Sequence, residues 1–386
     1  MQIERIEPGE TGAIEWPAID KDKRSVVTVG NFDGMHRGHQ AIIEKTVRLA
    51  KKHDCMSIVI MFDNTACKAD KNADKNADKV ADKVADKRNA AQNILTDISD
   101  RIKIIEKSGA DRLYIIKYTF AFSRTTYISF LGQLVGRAGM RTLVLGKDAH
   151  MGADRMGDVK AVKRMAEATG VFELEAIEDS GPEFVRIPAD FKPEAPEEDG
   201  EPKDILSNMN KAEKRAWTKK HNCKKYRAWS STNVRFLLSR GRIKDANEIL
   251  GRCHAIRGTV VHGLKRGREL GFPTANLDGI MQYMPVDGVY AGRLIDEGIE
   301  NEMQNTAHPR VYPAAISIGA KSTFDDCNER TVEAFALCDD WIDLYGHRVS
   351  LEFEGFIRPQ RRFCNAEELI EALKQNAQYV RENVTV

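Results

Sequence analysis

Residues 25–52 read SVVTVGNFDGMHRGHQAIIEKTVRLAKK, and the order of run, turn and periodic stretch within them decides the fold class. Ser25–Val29 is a β-branched run closed by a glycine, the texture of a buried strand. Ala41–Lys52 then spaces its apolar residues as one face of a helix does. The same unit recurs downstream. Met56–Phe62, Arg112–Ile116, Arg141–Leu145 and Phe172–Ile177 are apolar runs, and Ile98–Ser108, Tyr127–Gly139 and Ala161–Thr169 are amphipathic. Alternating strand and helix with near-continuous apolar strands predicts a Rossmann-like parallel sheet with helices on both faces. Ligands of such sheets bind beyond the carboxyl ends of the strands.

The texture changes after Cys253. Short runs at Gly258–His262, Gly288–Leu294, Ala314–Ile318, Thr331–Leu337 and Arg348–Phe353 are separated by Gly, Pro and Asp turns, with no helix between them. That pattern predicts an antiparallel sheet closed as a small barrel. Ala366–Tyr379 ends the chain as an amphipathic helix, with Asn365 as N-cap and Glu368 at the capping-box position. The expected fold class is therefore α/β followed by all-β.

Two stretches interrupt this plan. Lys68–Lys87 repeats Ala-Asp-Lys five times at a four-residue period, which places like charges at i,i+4 and offers no apolar face beyond two valines. A solvated loop or frayed helix is the expectation there. Residues 179–227 begin acidic and proline-rich (FKPEAPEEDGEPKD) and turn basic (NKAEKRAWTKKHNCKKYR), the polarity of a self-pairing or surface excursion. The expected domains are residues 1–178, carrying a repeat insertion at 68–90; a polar insertion at 179–228; residues 229–252 as the end of the first domain and linker helices; and 253–386.

Composition excludes several functions. A net charge of +1 creates no field that recruits nucleic acid or anionic membrane, and no apolar run is long enough to span a bilayer. The seven cysteines are dispersed without a CxxC pair, and the N-terminus lacks the apolar core of a signal peptide, so reduced thiols in a cytoplasm are the expectation.

Chemistry concentrates at two places. In the first, Val29–His39, Gly30, Asn31, Phe32 and Gly34 form the turn between strand and helix, and Gly38 brings backbone amides to the helix start. Free N–H groups and the helix dipole favour phosphate there. His36 and His39 share a face of the first turn and can donate to a triphosphate. An incidental surface pair is the alternative. Further on, Ser230-Ser231-Thr232-Asn233-Val234-Arg235 starts another helix: Ser231 and Thr232 offer hydroxyls and Arg235 a phosphate grip, or the run is an ordinary cap with a surface arginine. In the second place, Gly263 and Gly267 with Arg268 make a loop able to wrap phosphates. Thr274 and Asn276 follow Pro273 in an extended segment and point to one face. Their hydroxyl and amide oxygens suit Mg²⁺, or else they make local bonds at a strand edge. Glu333 opens an apolar strand as either a ladder-edge charge or a general base.

These residues carry a resemblance. TVGNFDGMHRGH with its H-x-G-H resembles the FMN adenylyltransferase domain of bifunctional bacterial FAD synthetases, and SSTNVR resembles that family's second signature. The family's Pro-His-Pro turn is replaced by Phe62-Asp63-Asn64-Thr65-Ala66, and its aromatic-rich turn by Gly146–Gly152. From Gly258 to Phe363 the series G-F-P-T-A-N-L, P-V-D-G-V-Y, V-E, D-L-Y-G and R-P-Q-R-R-F resembles the riboflavin kinase family in its order. That resemblance implies a six-stranded antiparallel barrel, Mg²⁺ on Thr274 and Asn276, Glu333 as base, and flavin between barrel and terminal helix. ATP is the implied co-substrate, and riboflavin and FMN the implied partners. A kinase alone with a degenerate first domain, or a flavin-binding regulatory module without turnover, remain the alternatives.

Overall fold

The run at residues 25–30 becomes an inner strand of a fully parallel sheet in the computed structural model. The structure describes residues 1–19, 23–64, 94–179, 181, 183–262, 274–299, 309–320, 330–338 and 342–385. The Ala-Asp-Lys repeat and the loop carrying Gly263, Gly267 and Arg268 lie outside them. The chain divides into two units, Met1–Ala91 with Thr96–Glu183, and Gln92–Leu95 with Phe184–Val386.

In the first unit, strands β1 (Gln2–Ile6), β2 (Ser25–Gly30), β3 (Met56–Asp63), β4 (Arg112–Lys117), β5 (Met140–Gly146) and β6 (Glu173–Ile177) lie in the order β1-β4-β3-β2-β5-β6. Helices α1 (Arg37–Lys52), α2 (Ile98–Lys107), α3 (Tyr127–Arg137) and α4 (Val159–Thr169) connect them. Alternation along β3 shows why both faces are covered. Ile58 and Ile60 pack with Leu131 and Leu134 of α3, while Val59 and Met61 pack with Ile43 of α1 and Ile105 of α2. Strand β1 escapes sequence reading because QIERI mixes polar and apolar residues; it pairs at the sheet edge with β4.

The segment 179–228 contains an antiparallel ribbon, β7 (Phe184–Pro188) with β8 (Cys223–Arg227), and helix α5 (Lys211–Lys220) between its strands. Asn210 and Glu213 form a full capping box for α5. Three members of the acidic half engage other parts of the second unit. Glu194 pairs with Arg240 and Asp199 with Arg361. Glu201 accepts the backbone N–H groups of Lys244 and Phe356 at 2.7 and 2.8 Å. Burial pushes the Glu201 carboxyl up from its ordinary value, against the pull of those two bonds.

Helices α6 (Ser231–Leu238) and α7 (Ile243–Leu250) precede a closed barrel. Its strands are β9 (His254–Val261), β10 (Ala275–Asp278), β11 (Gly288–Gly298), β12 (Arg310–Ala320), β13 (Arg330–Ala336) and β14 (Arg348–Arg358), closed in the order β9-β10-β13-β12-β11-β14. Every neighbouring pair is antiparallel. Leu237, Leu238 and Ile243 are buried in one cluster with the barrel's Ile256, Tyr290 and Phe353, so α6 and α7 share its core. Gly292 sits at a register shift between β11 and β14, and a Cβ there would run into the Glu352 carbonyl oxygen. The terminal helix α8 (Ala366–Asn383) lays Val380 against Val289, Ala291 and Ala315 on the outside of the barrel.

Candidate active sites

The first site is built at the carboxyl end of β2. The chain leaves the strand at Gly30 and turns through Phe32, Gly34 and Met35 at φ 49, 83 and 43, then enters α1. Phe32 and Met35 are buried, which anchors the turn from below. His36 is the N-cap of α1, and its Nδ1 accepts the His39 backbone N–H at 3.4 Å. The His36 and His39 rings stack with centroids 3.7 Å apart, and the edge of Phe32 closes on His39 at 5.4 Å. The two imidazoles thus form one stacked pair at the helix start, His36 buried and His39 partly exposed. A Cβ at Gly38 would clash with the Asp179 carbonyl oxygen, so only glycine allows that close backbone approach.

Two partners of this turn were not visible in the motif. Arg101 of α2 reaches Asn31 and Asp33, and Gln40 donates to the Met35 carbonyl at 2.7 Å. Beyond the neighbouring strand ends, Phe62, Tyr118, Phe122 and Phe130 form an aromatic cluster with centroids 5.8–6.5 Å apart. His150, in the altered Gly146–Gly152 turn, is exposed and bonds the Asp148 carbonyl at 2.7 Å. Ser231, Thr232 and Arg235 belong to the second unit. Ser230 caps α6 by accepting from Asn233 N–H at 3.2 Å, and Arg235 donates to the Ser231 carbonyl at 3.3 Å.

The second site lies on the outer face of the barrel. Val332 and Ala334 turn into the core, so Glu333 between them turns out. Leu277 likewise turns in and Asn276 turns out. The register places Asn276 directly opposite Glu333 on one side and Ser317 opposite it on the other. Directly opposed residues have Cβ atoms about 5 Å apart, within reach of one shared group. Thr274 immediately precedes β10 at the next outward position. Gln360, from the R-P-Q-R-R-F run, donates to Ser317 Oγ and the Ile318 carbonyl at 2.9 Å each, closing the far end of the row. Arg358 of the same run is buried and bonds Asn376 of α8 at 3.1 Å, tying the strand end to the helix. His262 packs against Tyr345 of D-L-Y-G with the rings tilted and their centroids 3.9 Å apart.

The donor chemistry of this row fits Mg²⁺. A hydroxyl and an amide are neutral hard oxygens, and Mg²⁺ keeps most of its shell as water and substrate phosphate. Among the described residues no group of His, Cys, Asp and Glu is arranged to hold a metal by itself. A site that borrows ligands from ATP needs no such group.

A glycine-containing turn with two stacked imidazoles at a helix start in one unit, and a carboxylate opposite an amide and a hydroxyl in the other, suit an enzyme that moves groups from ATP, a nucleotide-dependent transferase. Residues 18–189 match the family model for FAD synthetase and residues 250–384 that for riboflavin kinase. The chain is 26% identical over 368 residues to the bifunctional riboflavin kinase/FMN adenylyltransferase of Listeria monocytogenes, covering 95% of this chain and 93% of that one. It is 26% identical over 361 residues to the protein of that name from Escherichia coli K12, covering 93% and 91%. A crystal structure of a macrolide-efflux protein from Streptococcus pneumoniae matches 99% of both chains with a TM-score of 0.67 at 23% identity, a likeness of fold alone. The chain belongs to the bifunctional riboflavin kinase/FMN adenylyltransferase family. Both domains are present, which favours the bifunctional reading over a kinase alone.

Proposed function

We propose that the barrel unit transfers the γ-phosphoryl group of ATP to riboflavin, giving FMN and ADP. The sheet unit then transfers the adenylyl group of a second ATP to FMN, giving FAD and pyrophosphate. The observation that carries the kinase half is the row Asn276–Glu333–Ser317 across three barrel strands. Glu333 accepts the proton of the terminal ribityl hydroxyl as that oxygen attacks phosphorus. Thr274 and Asn276 would hold Mg²⁺, which when bound would neutralise charge on the phosphates. Flavin lies between barrel and α8.

In the sheet unit no covalent intermediate is needed. The FMN phosphate attacks the α-phosphorus of ATP in line, and positioning does the work. Gly30, Asn31, Phe32, Gly34 and Gly38 supply the turn and amides around the triphosphate. His36 and His39 donate to it and stabilise departing pyrophosphate. Both reactions belong in the cytoplasm. In keeping with that, Cys55, Cys223, Cys253 and Cys364 are free thiols, and no described helix is long and apolar enough to cross a membrane.

Paired substitutions test the division of labour. Glu333→Gln abolishes FMN formation and leaves flavin binding nearly intact, whereas His36→Ala or His39→Ala abolishes FAD formation and spares FMN formation. Unchanged turnover in Glu333→Gln removes the base assignment, and persistence of both products in the histidine variants removes the phosphate grip.

A further inference from the structure

Arg101 is 5% exposed and directs its guanidinium from α2 into the turn that precedes α1. Its Nε donates to the Thr96 carbonyl at 2.8 Å, one Nη to the Asn31 carbonyl at 3.0 Å, and the other to the Asp33 carboxylate at 3.1 Å. The Thr96 N–H donates to the same carboxylate oxygen at 3.3 Å. All three guanidinium nitrogens thus donate, two of them to the turn. Within that turn Phe32 and Met35 have left-handed backbone, a conformation that side-chain-bearing residues keep only when their surroundings over-determine it. Gln40 fixes the Met35 carbonyl from α1, and Arg101 fixes Asn31 and Asp33 from the opposite side.

We propose that Arg101 is a positioning residue for adenylyl transfer, holding the Asn31–Met35 turn, and through it the His36–His39 pair, where the triphosphate is gripped. The proposal rests on the adenylyltransferase reading of the sheet unit. Removing one partner of a buried ion pair costs stability by itself, so the loss expected of a purely structural guanidinium shows in sheet protection. A guanidinium that sets donor geometry also lowers turnover of the folded protein, because a displacement of about 1 Å at positioned groups can lower it roughly 10²-fold. The loss then falls on kcat, since the donors act most strongly on the charge that develops as pyrophosphate leaves.

The full-length chain supplies its own reference, because FMN formation occurs in the other unit. Arg101→Met, Arg101→Lys and Asp33→Asn would be assayed for FAD formation from FMN and ATP, and for FMN formation from riboflavin and ATP. Hydrogen exchange of peptides spanning β2 and β3 reports whether the sheet is intact. The expected result is a loss of roughly 10²-fold in kcat for Arg101→Met. KM for FMN and ATP stays within about threefold, Arg101→Lys recovers part of the loss, Asp33→Asn loses part, and FMN formation is unchanged. Three results overturn the proposal: a kcat in Arg101→Met close to that of the unaltered chain, a change in KM alone, or a loss in Arg101→Met that accompanies lost sheet protection while Arg101→Lys and Asp33→Asn keep full kcat. An unaltered chain that makes FMN and never FAD fails differently: it removes the adenylyltransferase reading, and this proposal with it.

Discussion

The base role proposed for Glu333 separates phosphoryl transfer from flavin binding in the barrel unit, because binding alone needs no proton acceptor. A general base contributes about 10²- to 10⁴-fold, so FMN formation in Glu333→Gln should fall by that order. Flavin affinity, followed by fluorescence titration, should move little, since glutamine keeps the volume and one acceptor. The outward placement of Glu333 was legible in the sequence, as was that of Asn276 and Thr274, because inward Val332, Ala334 and Leu277 fix their parity from the chain alone. That Asn276 faces Glu333 was not legible, since register between strands distant in sequence is a property of the closed barrel. Ser317 and Gln360 went unseen for the same reason. Arg101 and Asp33 were hidden differently: nothing near position 101 marks a charge that folds back onto a turn 68 residues earlier.

At the scale of elements, the long apolar runs were readable and their ends were not. The run expected to end at Phe353 continues to Arg358 as β14, because Gly355 and the following residues keep pairing with β11 past a register shift. The cap of the last helix is half of what was expected. Asn365 accepts from Glu368 N–H at 2.8 Å, but Glu368 returns its bond to Cys364 N–H at 2.9 Å, one residue earlier. Gly292 provides a test of the barrel's construction. Gly292→Ala places a methyl group against the Glu352 carbonyl oxygen, where only strand displacement relieves it. Overpacking of this kind costs about 1–3 kcal/mol. Denaturant unfolding of the barrel unit should show that loss, and an unchanged midpoint would mean that the shift in register is not held as described.

The whole molecule was legible as two textures, alternating α/β and then short strands, because periodicity changes from mixed to two-residue near Cys253. The affiliation of residues 229–252 was not, since an amphipathic helix does not state which core it faces. In the structure α6 and α7 bury Val234, Leu237, Leu238, Ile243 and Leu250 with the barrel. A fragment of residues 184–386 should therefore remain soluble and form FMN, whereas residues 253–386 alone expose the barrel end those helices cover and aggregate. Equal solubility and turnover of both fragments would contradict the shared core.

The central claim is that one chain carries two working transferases. The direct measurement is a time course of flavin products after adding riboflavin, ATP and Mg²⁺ to the purified chain. The account predicts FMN first and FAD after it, with FAD arising at the expense of FMN. Riboflavin left unphosphorylated, or FMN that accumulates without conversion, would contradict it.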